Sequence, residues 1–261
     1  MSIGRVKRAF ESGRTAFMPY AALGYPTPES SIETVKSLVD SGADLLELGV
    51  PFSDPLADGA TIQAATQKAI ENKVSLSECI NLVARLREDG VDVPILFMSY
   101  FNPILSYGVE RCAADCAAVG VDGFIVPDLP PEEAGEMEAA CQGSDLALVF
   151  LLSPTSPPKR VEMVSEKSTG FVYLVSLTGV TGERKSLPEG LSAFVHRVRK
   201  ITDKPLAVGF GIGNGAQAAE VAKIADGVIV GSALVKRAGE SNERVKELAV
   251  EIVTSMLRKS S

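Results

Sequence analysis

The chain has 261 residues, 46% of them apolar and 23% charged, with a formal net charge of −7. That length and balance suit a globular chain able to bury one large core or close an α/β barrel. The negative charge and the lack of Lys/Arg-rich runs argue against nucleic acid as a partner, and no apolar run is long enough to span a bilayer.

Taken in order, the chain alternates two signals. Ile3, Val6 and Phe10 carry helical spacing in an opening amphipathic helix suited to covering a barrel end. The segment MSIGRVKRAF around them has no hydrophobic signal core, so a cytoplasmic location is expected, or plastid stroma if a transit peptide has been removed. TAFMPYAAL (15–23) reads as a strand. Thr27-Pro28 then gives an N-cap with Pro at the first helical position, for a helix ending at Ser41-Gly42. Asp44-Leu45-Leu46-Glu47-Leu48 is the second strand and 61–71 a helix. Ser75 and Glu78 form a capping box for a helix whose inner stripe is Leu76, Ile80 and Val83.

VPILFMSY (93–100) is the third strand, followed by a helix near 107–118, a strand at 121–128 and a helix opened by Pro130-Pro131. Strands at 146–153 and 170–176 flank a helix from Pro157 to Glu166. The last two strands, 204–212 and 226–233, each run into Gly and a helix, and the final helix spans 241–258. Three segments share one pattern, a small residue, then Asp, then an apolar strand: SGADLLEL, VGVDGFIV and IADGVIVGS. Eight near-continuous apolar strands separated by helices suit a parallel sheet buried on both faces. The expected fold is therefore a single (β/α)8 TIM barrel over residues 1–261, with an extra N-terminal helix and a short helix after strand eight. An open doubly wound sheet is the alternative. No Pro/Ser-rich linker divides the chain.

In a barrel the chemistry sits where the strands end. Candidates there are Tyr20, Glu47, Asp54, Asp58, Tyr100, Asn102, Asp128, Tyr173, the loop SLTGVTGERKS, Gly209-Phe210-Gly211 and Gly231-Ser232. Glu47 is the odd one, because an acid inside a Leu/Val strand must face solvent or a cavity, a buried unpaired charge being costly, and the neighbouring leucines argue against a wet face. Asp54 and Asp58 lie in a loop where Asp serves turns, so each alone reads as structural. Asp128 could cap the next helix or meet a ligand. Gly209, Gly211, Gly213 and Gly215 could let backbone amides approach a phosphate, with Gly231-Ser232 opening a helix beside them, or could simply serve tight turns. A dinucleotide fingerprint forced onto Gly211, Gly213 and Ala216 comes too late in the chain and lacks the ribose-binding acid.

Absences narrow the chemistry further. The only histidine, His196, falls on a helix after strand six, so metal catalysis lacks imidazole ligands and no metal site is expected, although carboxylate ligation of Mg²⁺ remains formally open. No lysine lies in a strand interior to form a Schiff base, and no Ser or Cys has a His beside it. Cys79, Cys112, Cys116 and Cys141 contain no CxxC pair and read as buried free thiols. What remains is a phosphate-anchored site run by carboxylates as acid and base.

LELGVPFSDPLADGATIQ (46–63) resembles the signature stretch of the tryptophan synthase α chain family. FMPYAALG, MSYFNPI, GFIVPDLPPEE, VYLVSLTGVTGER, KPLAVGFGI and DGVIVGSALV follow in family order and at family spacing. The resemblance implies a barrel that cleaves indole-3-glycerol phosphate to indole and glyceraldehyde 3-phosphate. It implies no cofactor on this chain and an α2β2 assembly with a β chain that carries pyridoxal phosphate. A stand-alone lyase releasing free indole, or a subunit that chiefly binds and activates its partner, are the alternatives.

By the same resemblance Glu47 is the acid/base and Asp58 faces the indole nitrogen. Tyr20, Met98, Tyr100, Ile125, Tyr173 and Phe210 line the pocket, and Thr181 lies on a closing loop, 177–187. Gly182, Phe210, Gly211, Gly231 and Ser232 hold the phosphate. Pro51, Asp54, Pro55, Asn102, Pro103, Asp128 and Pro130 face the β chain. Four positions depart from the family pattern: Tyr20 for a usual Phe, Tyr25 for Asp, Ala60 for Pro and Gly213 for Ser.

Overall fold

The alternation of apolar strands and amphipathic helices closes as expected in the computed structural model, which describes residues 2–175, 189–209 and 211–257. Among these, nine parallel strands form one sheet: β1 (Ala16–Ala22), β2 (Leu46–Gly49), β3 (Ile95–Met98), β4 (Gly123–Ile125), β5 (Ala147–Val149), β6 (Leu151–Leu152), β7 (Val172–Val175), β8 (Leu206–Gly209) and β9 (Gly227–Val230). Their order is β5-β4-β3-β2-β1-β9-β8-β7-β6. The two ends of that order, β5 and β6, are halves of one stretch parted only at Phe150, so the sheet closes on eight strand positions as a TIM barrel.

The twelve helices are α1 (Ser2–Arg8), α2 (Pro28–Asp40), α3 (Ala60–Glu71), α4 (Leu76–Glu88), α5 (Phe101–Tyr107), α6 (Val109–Val119), α7 (Gly135–Gly143), α8 (Pro158–Lys167), α9 (Leu191–Arg199), α10 (Gly215–Ala222), α11 (Ser232–Ala238) and α12 (Asn242–Leu257), counted among the described residues. Two start where their caps predict. Thr27 Oγ1 accepts from Ser30 N–H at 3.1 Å, and Ser75 Oγ accepts from Glu78 N–H at 3.4 Å.

Successive strand residues face opposite sides, which divides the core in two. Phe17, Leu46, Leu48, Phe97, Phe124, Leu174 and Val208 pack outward against the helices. Met18, Leu45, Leu96, Ile125, Val149, Tyr173 and Ile229 fill the barrel interior. Val6 and Ala9, at and just beyond the end of α1, join the interior cluster, and Phe10 lies 5.4 Å from the ring of Phe171. The opening helix therefore plugs the lower end of the barrel, leaving the strand C-termini as the open mouth.

The repeated small-Asp-strand pattern has a structural meaning. Asp44, Asp122 and Asp226 each precede a strand and accept the backbone N–H of the strand before it: Phe17 at 2.8 Å, Ile95 at 2.9 Å and Leu206 at 2.7 Å. Each also donates its own N–H back to the same residue's carbonyl. Each carboxylate pairs with an arginine, respectively Arg14, Arg87 and Arg199. Thr169 repeats the device with a hydroxyl, accepting from Leu148 N–H at 2.6 Å. Four clamps thus tie strand pairs together at the end of the barrel away from the mouth.

The helix expected near 107–118 is α6; the short α5 before it was not expected, and is parted from α6 at Gly108, whose φ of 98° an L side chain would resist. Two expectations need correction. The helix expected from Pro130-Pro131 begins at Gly135 instead, because the two prolines open a turn closed by Glu133 N–H on Pro130 O at 3.0 Å. Strand 146–153 is interrupted at Phe150.

Candidate active site

Glu47 sits on the interior face of β2, with Tyr20 of β1 and Leu96 of β3 as its cross-strand partners. It is 1% exposed, and among the described residues neither carboxylate oxygen has a hydrogen-bond partner. Burial pushes its pKa well above the ordinary carboxylate value, which favours the protonated acid. The sequence placed an acid toward a cavity here, and the structure shows it buried.

Asp58 ends the loop that follows β2 and is 9% exposed. Its amide donates to Pro55 O at 3.1 Å and its carbonyl accepts from Gln63 Nε2 at 2.9 Å. Burial raises its carboxyl to about 6, opposed by a hydrogen bond from the Tyr100 hydroxyl. That hydroxyl in turn accepts from Ala57 N–H at 2.9 Å, while Phe52 lies 5.4 Å from the Tyr100 ring. Tyr100, expected as a pocket residue, therefore fastens the loop and holds Asp58. Burial raises both carboxyl groups of this mouth, but only Asp58 has a donor, Tyr100, that opposes the rise.

Two tyrosines complete the walls. The phenol of Tyr20 lies over Gly49, where an added Cβ would stand 1.9 Å from its hydroxyl oxygen. Tyr173 lies over Gly209 in the same way, at 2.4 Å. Each glycine ends a strand and leaves the space that an aromatic side chain from the preceding, adjacent strand fills. Ile125 is buried and Met98 partly buried among the interior residues that include Tyr173.

The glycine-rich stretch after β8 is used differently from the expectation. Gly213 N–H donates to Gln217 Oε1 and Gly215 N–H to Glu251 Oε1, both at 2.7 Å, so these amides are spent inside the fold. Gly211, with φ of 86°, remains at the mouth, and Gly231-Ser232 begins the seven-residue α11, whose first-turn amides have no acceptor within the helix. Phe210, Thr181, Gly182 and loop 177–187 lie outside the described residues. His196 is exposed on α9, and its ring meets Ser192 O at 2.7 Å.

Of the residues expected to face a partner, Asp54, Asn102 and Asp128 are exposed, Pro55, Pro103 and Pro130 partly so, and Pro51 is buried within the chain. Asp128 accepts from Phe101 N–H at 2.9 Å, which caps α5 rather than the helix after it. Leu56, 85% exposed, and Leu105, 52% exposed, lie in the segments that follow β2 and β3 and were not singled out by the sequence. A cleft of about 440 Å³ is lined by Ala57, Asp128, Pro130, Leu151 and Arg160.

This geometry has close relatives. A family model described as tryptophan synthase alpha chain matches residues 6–260. The chain belongs to the tryptophan synthase alpha chain family. A tryptophan synthase alpha chain from Chloroflexus aggregans is 52% identical over 230 residues, 88% of this chain and 86% of that one. One from Roseiflexus castenholzii is 54% identical over 224 residues, 86% of each. Among solved structures, Mycobacterium tuberculosis tryptophan synthase superposes with a TM-score of 0.92 at 39% identity, covering 98% of this chain and 99% of that one. The tryptophan synthase subunit alpha of Legionella pneumophila gives 0.89 at 34%, covering 97% and 98%. With the family placed, the loop carrying Asp58 and the strand carrying Glu47 coincide with the stretch 46–63 that bore the resemblance.

The pH response of Asp58 follows from its two neighbours. If Asp58 must be ionised, activity falls as pH drops through about 6. Tyr100→Phe removes the donor that favours the ionised form, so this acid limb moves to higher pH. A kcat/KM profile of the two proteins measures the shift; superimposable limbs would separate Asp58 from the titration.

Proposed function

We propose that the chain is a carbon–carbon lyase that cleaves indole-3-glycerol phosphate to indole and glyceraldehyde 3-phosphate by a retro-aldol reaction. The observation that carries the mechanism is the pairing of a buried, unpartnered Glu47 with an Asp58 near pKa 6 in the same mouth. Neutral Glu47 gives its proton to the ring carbon that bears the glycerol chain. The ring becomes a non-aromatic cation, and its N–H donates to the Asp58 carboxylate, which stabilises the developing charge. Glu47, now ionised, takes the proton of the adjacent glycerol hydroxyl. The carbon–carbon bond breaks, its electrons return to the ring, the aldehyde leaves and Glu47 is neutral again.

Tyr20, Met98, Ile125 and Tyr173 would enclose the indole, with Phe210 beyond the described residues. Gly211, Gly231 and Ser232, with Gly182 and Phe210, would hold the phosphate through backbone amides and the Ser232 hydroxyl. Indole would pass to a β chain carrying pyridoxal phosphate, docked over Asp54, Pro55, Asn102, Pro103, Asp128 and Pro130, in an α2β2 assembly in the cytoplasm. Among the described residues no helix is long and apolar enough to cross a membrane.

The deciding experiment measures indole release from indole-3-glycerol phosphate with and without added β chain. Turnover that rises on adding the partner is the expected result. High turnover alone identifies a stand-alone lyase, and none under either condition removes the enzyme.

A further inference from the structure

Tyr20 stands beside Glu47 in a way that lining a pocket does not require. The two are Cα partners across the parallel β1–β2 pair. The phenol leans along β2 until its oxygen occupies the place a side chain at residue 49 would take. Residues 47 and 49 share one face of the strand, separated along it by about 6.6 Å. A glutamate side chain and one hydrogen bond together span that gap. The charges bearing most on the Tyr20 hydroxyl are Asp58 and then Glu47, with Tyr100 and Cys79 behind them.

Among the described residues Glu47 has no hydrogen-bond partner, yet the reaction proposed above ionises it once per turnover. An ionised carboxylate in a dry pocket is far more demanding of a donor than the acid is. Tyr20, held neutral by burial, keeps its proton through that half of the cycle.

We infer that Tyr20 is a positioning residue whose hydroxyl donates to the Glu47 carboxylate during the ionised half of the cycle, supplying the partner that the resting acid lacks. This rests on the lyase reading. The competing account is purely steric, with the ring packing alongside Ala22, Ile62, Ala65 and Val235 and the hydroxyl idle.

Tyr20→Phe keeps the ring and removes only the hydroxyl. Assayed with indole-3-glycerol phosphate in the presence of the β chain, it should lower kcat by about 10- to 100-fold, the scale of a hydrogen bond to a charged group. KM should stay unchanged, since the donor acts after substrate is bound. An unchanged thermal midpoint confirms that the variant folds. Equal kcat in the two proteins, or a rise in KM at constant kcat, would leave Tyr20 as pocket lining and overturn the inference alone. A wild type that releases no indole would remove the lyase reading and this inference with it.

Discussion

Glu47→Gln should lower indole release by at least ~100-fold while substrate binding persists, because the amide keeps the shape of the acid and can neither give nor take the proton. The same variant should respond to pH in the opposite way on stability. Glu47 has a folded pKa well above 4.5, so between the unfolded and folded values the native state binds the extra proton. Wild-type stability is therefore fully present below the unfolded pKa and falls as pH rises toward the folded one, by up to ~1.4 kcal/mol per pH unit from this group. Glutamine does not titrate, so the variant should gain on the wild type as pH rises above the ordinary glutamate pKa of about 4.5. Denaturant unfolding at several pH values reads the gap, and kcat reads the rate. A slow variant whose stability tracks the wild type at every pH would mean that Glu47 is already ionised in the fold. A variant near wild-type speed would move the acid/base role elsewhere. Both outcomes together would describe a trade, in which a buried acid that costs the barrel stability supplies the proton for the reaction.

How far the sequence reached differs from residue to residue, for identifiable reasons. Glu47 was legible because an acid in an apolar strand conflicts with its local pattern, and such conflicts mark functional sites. Asp58 was not legible from its own surroundings, since Asp in a loop satisfies turn chemistry; only the family resemblance raised it. What raises its pKa is burial, and what holds it is Tyr100, whose tie to Ala57 spans 43 residues of sequence. No local pattern encodes such a contact. The glycines after β8 show the opposite error. Their spacing suggested a phosphate cradle, but Gly213 and Gly215 spend their amides on Gln217 and Glu251, side chains from α10 and α12. The barrel itself was legible because eight apolar strands and their helices need no long-range knowledge. The split at Phe150 and the break at Gly108 depend on sheet closure and helix packing, which do.

The three Asp clamps were visible as a repeat, and their unequal burial predicts unequal effects. Asp122→Ala should destabilise the protein by about 3–5 kcal/mol, the range for removing one member of a buried ion pair. The Asp122 side chain is 1% exposed and that of Arg87 15%, with Arg87 Nη2 at 2.8 Å. The Arg5 guanidinium adds an ion pair at 3.5 Å without a hydrogen bond to the other carboxylate oxygen. Removing the carboxylate orphans Ile95 N–H and leaves Arg87 half in the interior, facing Arg5 without the anion between them. Burial and Arg5 already lower the Arg87 pKa to about 10 against the pull of Asp122. Arg87 keeps hydrogen bonds to the carbonyls of Gly120, Val91 and Val93, so the lost term is mainly charge balance. Asp226 offers the contrast. It makes the same backbone bond to Leu206, but it and Arg199 are more than a third exposed, so water screens the pair. Asp226→Ala should fall nearer the ~1 kcal/mol of an ordinary hydrogen bond. Urea unfolding of both variants tests the order: equal losses would mean that the backbone bond, common to both, carries the clamp. A larger loss at Asp122 assigns the difference to the buried charges of Arg5 and Arg87.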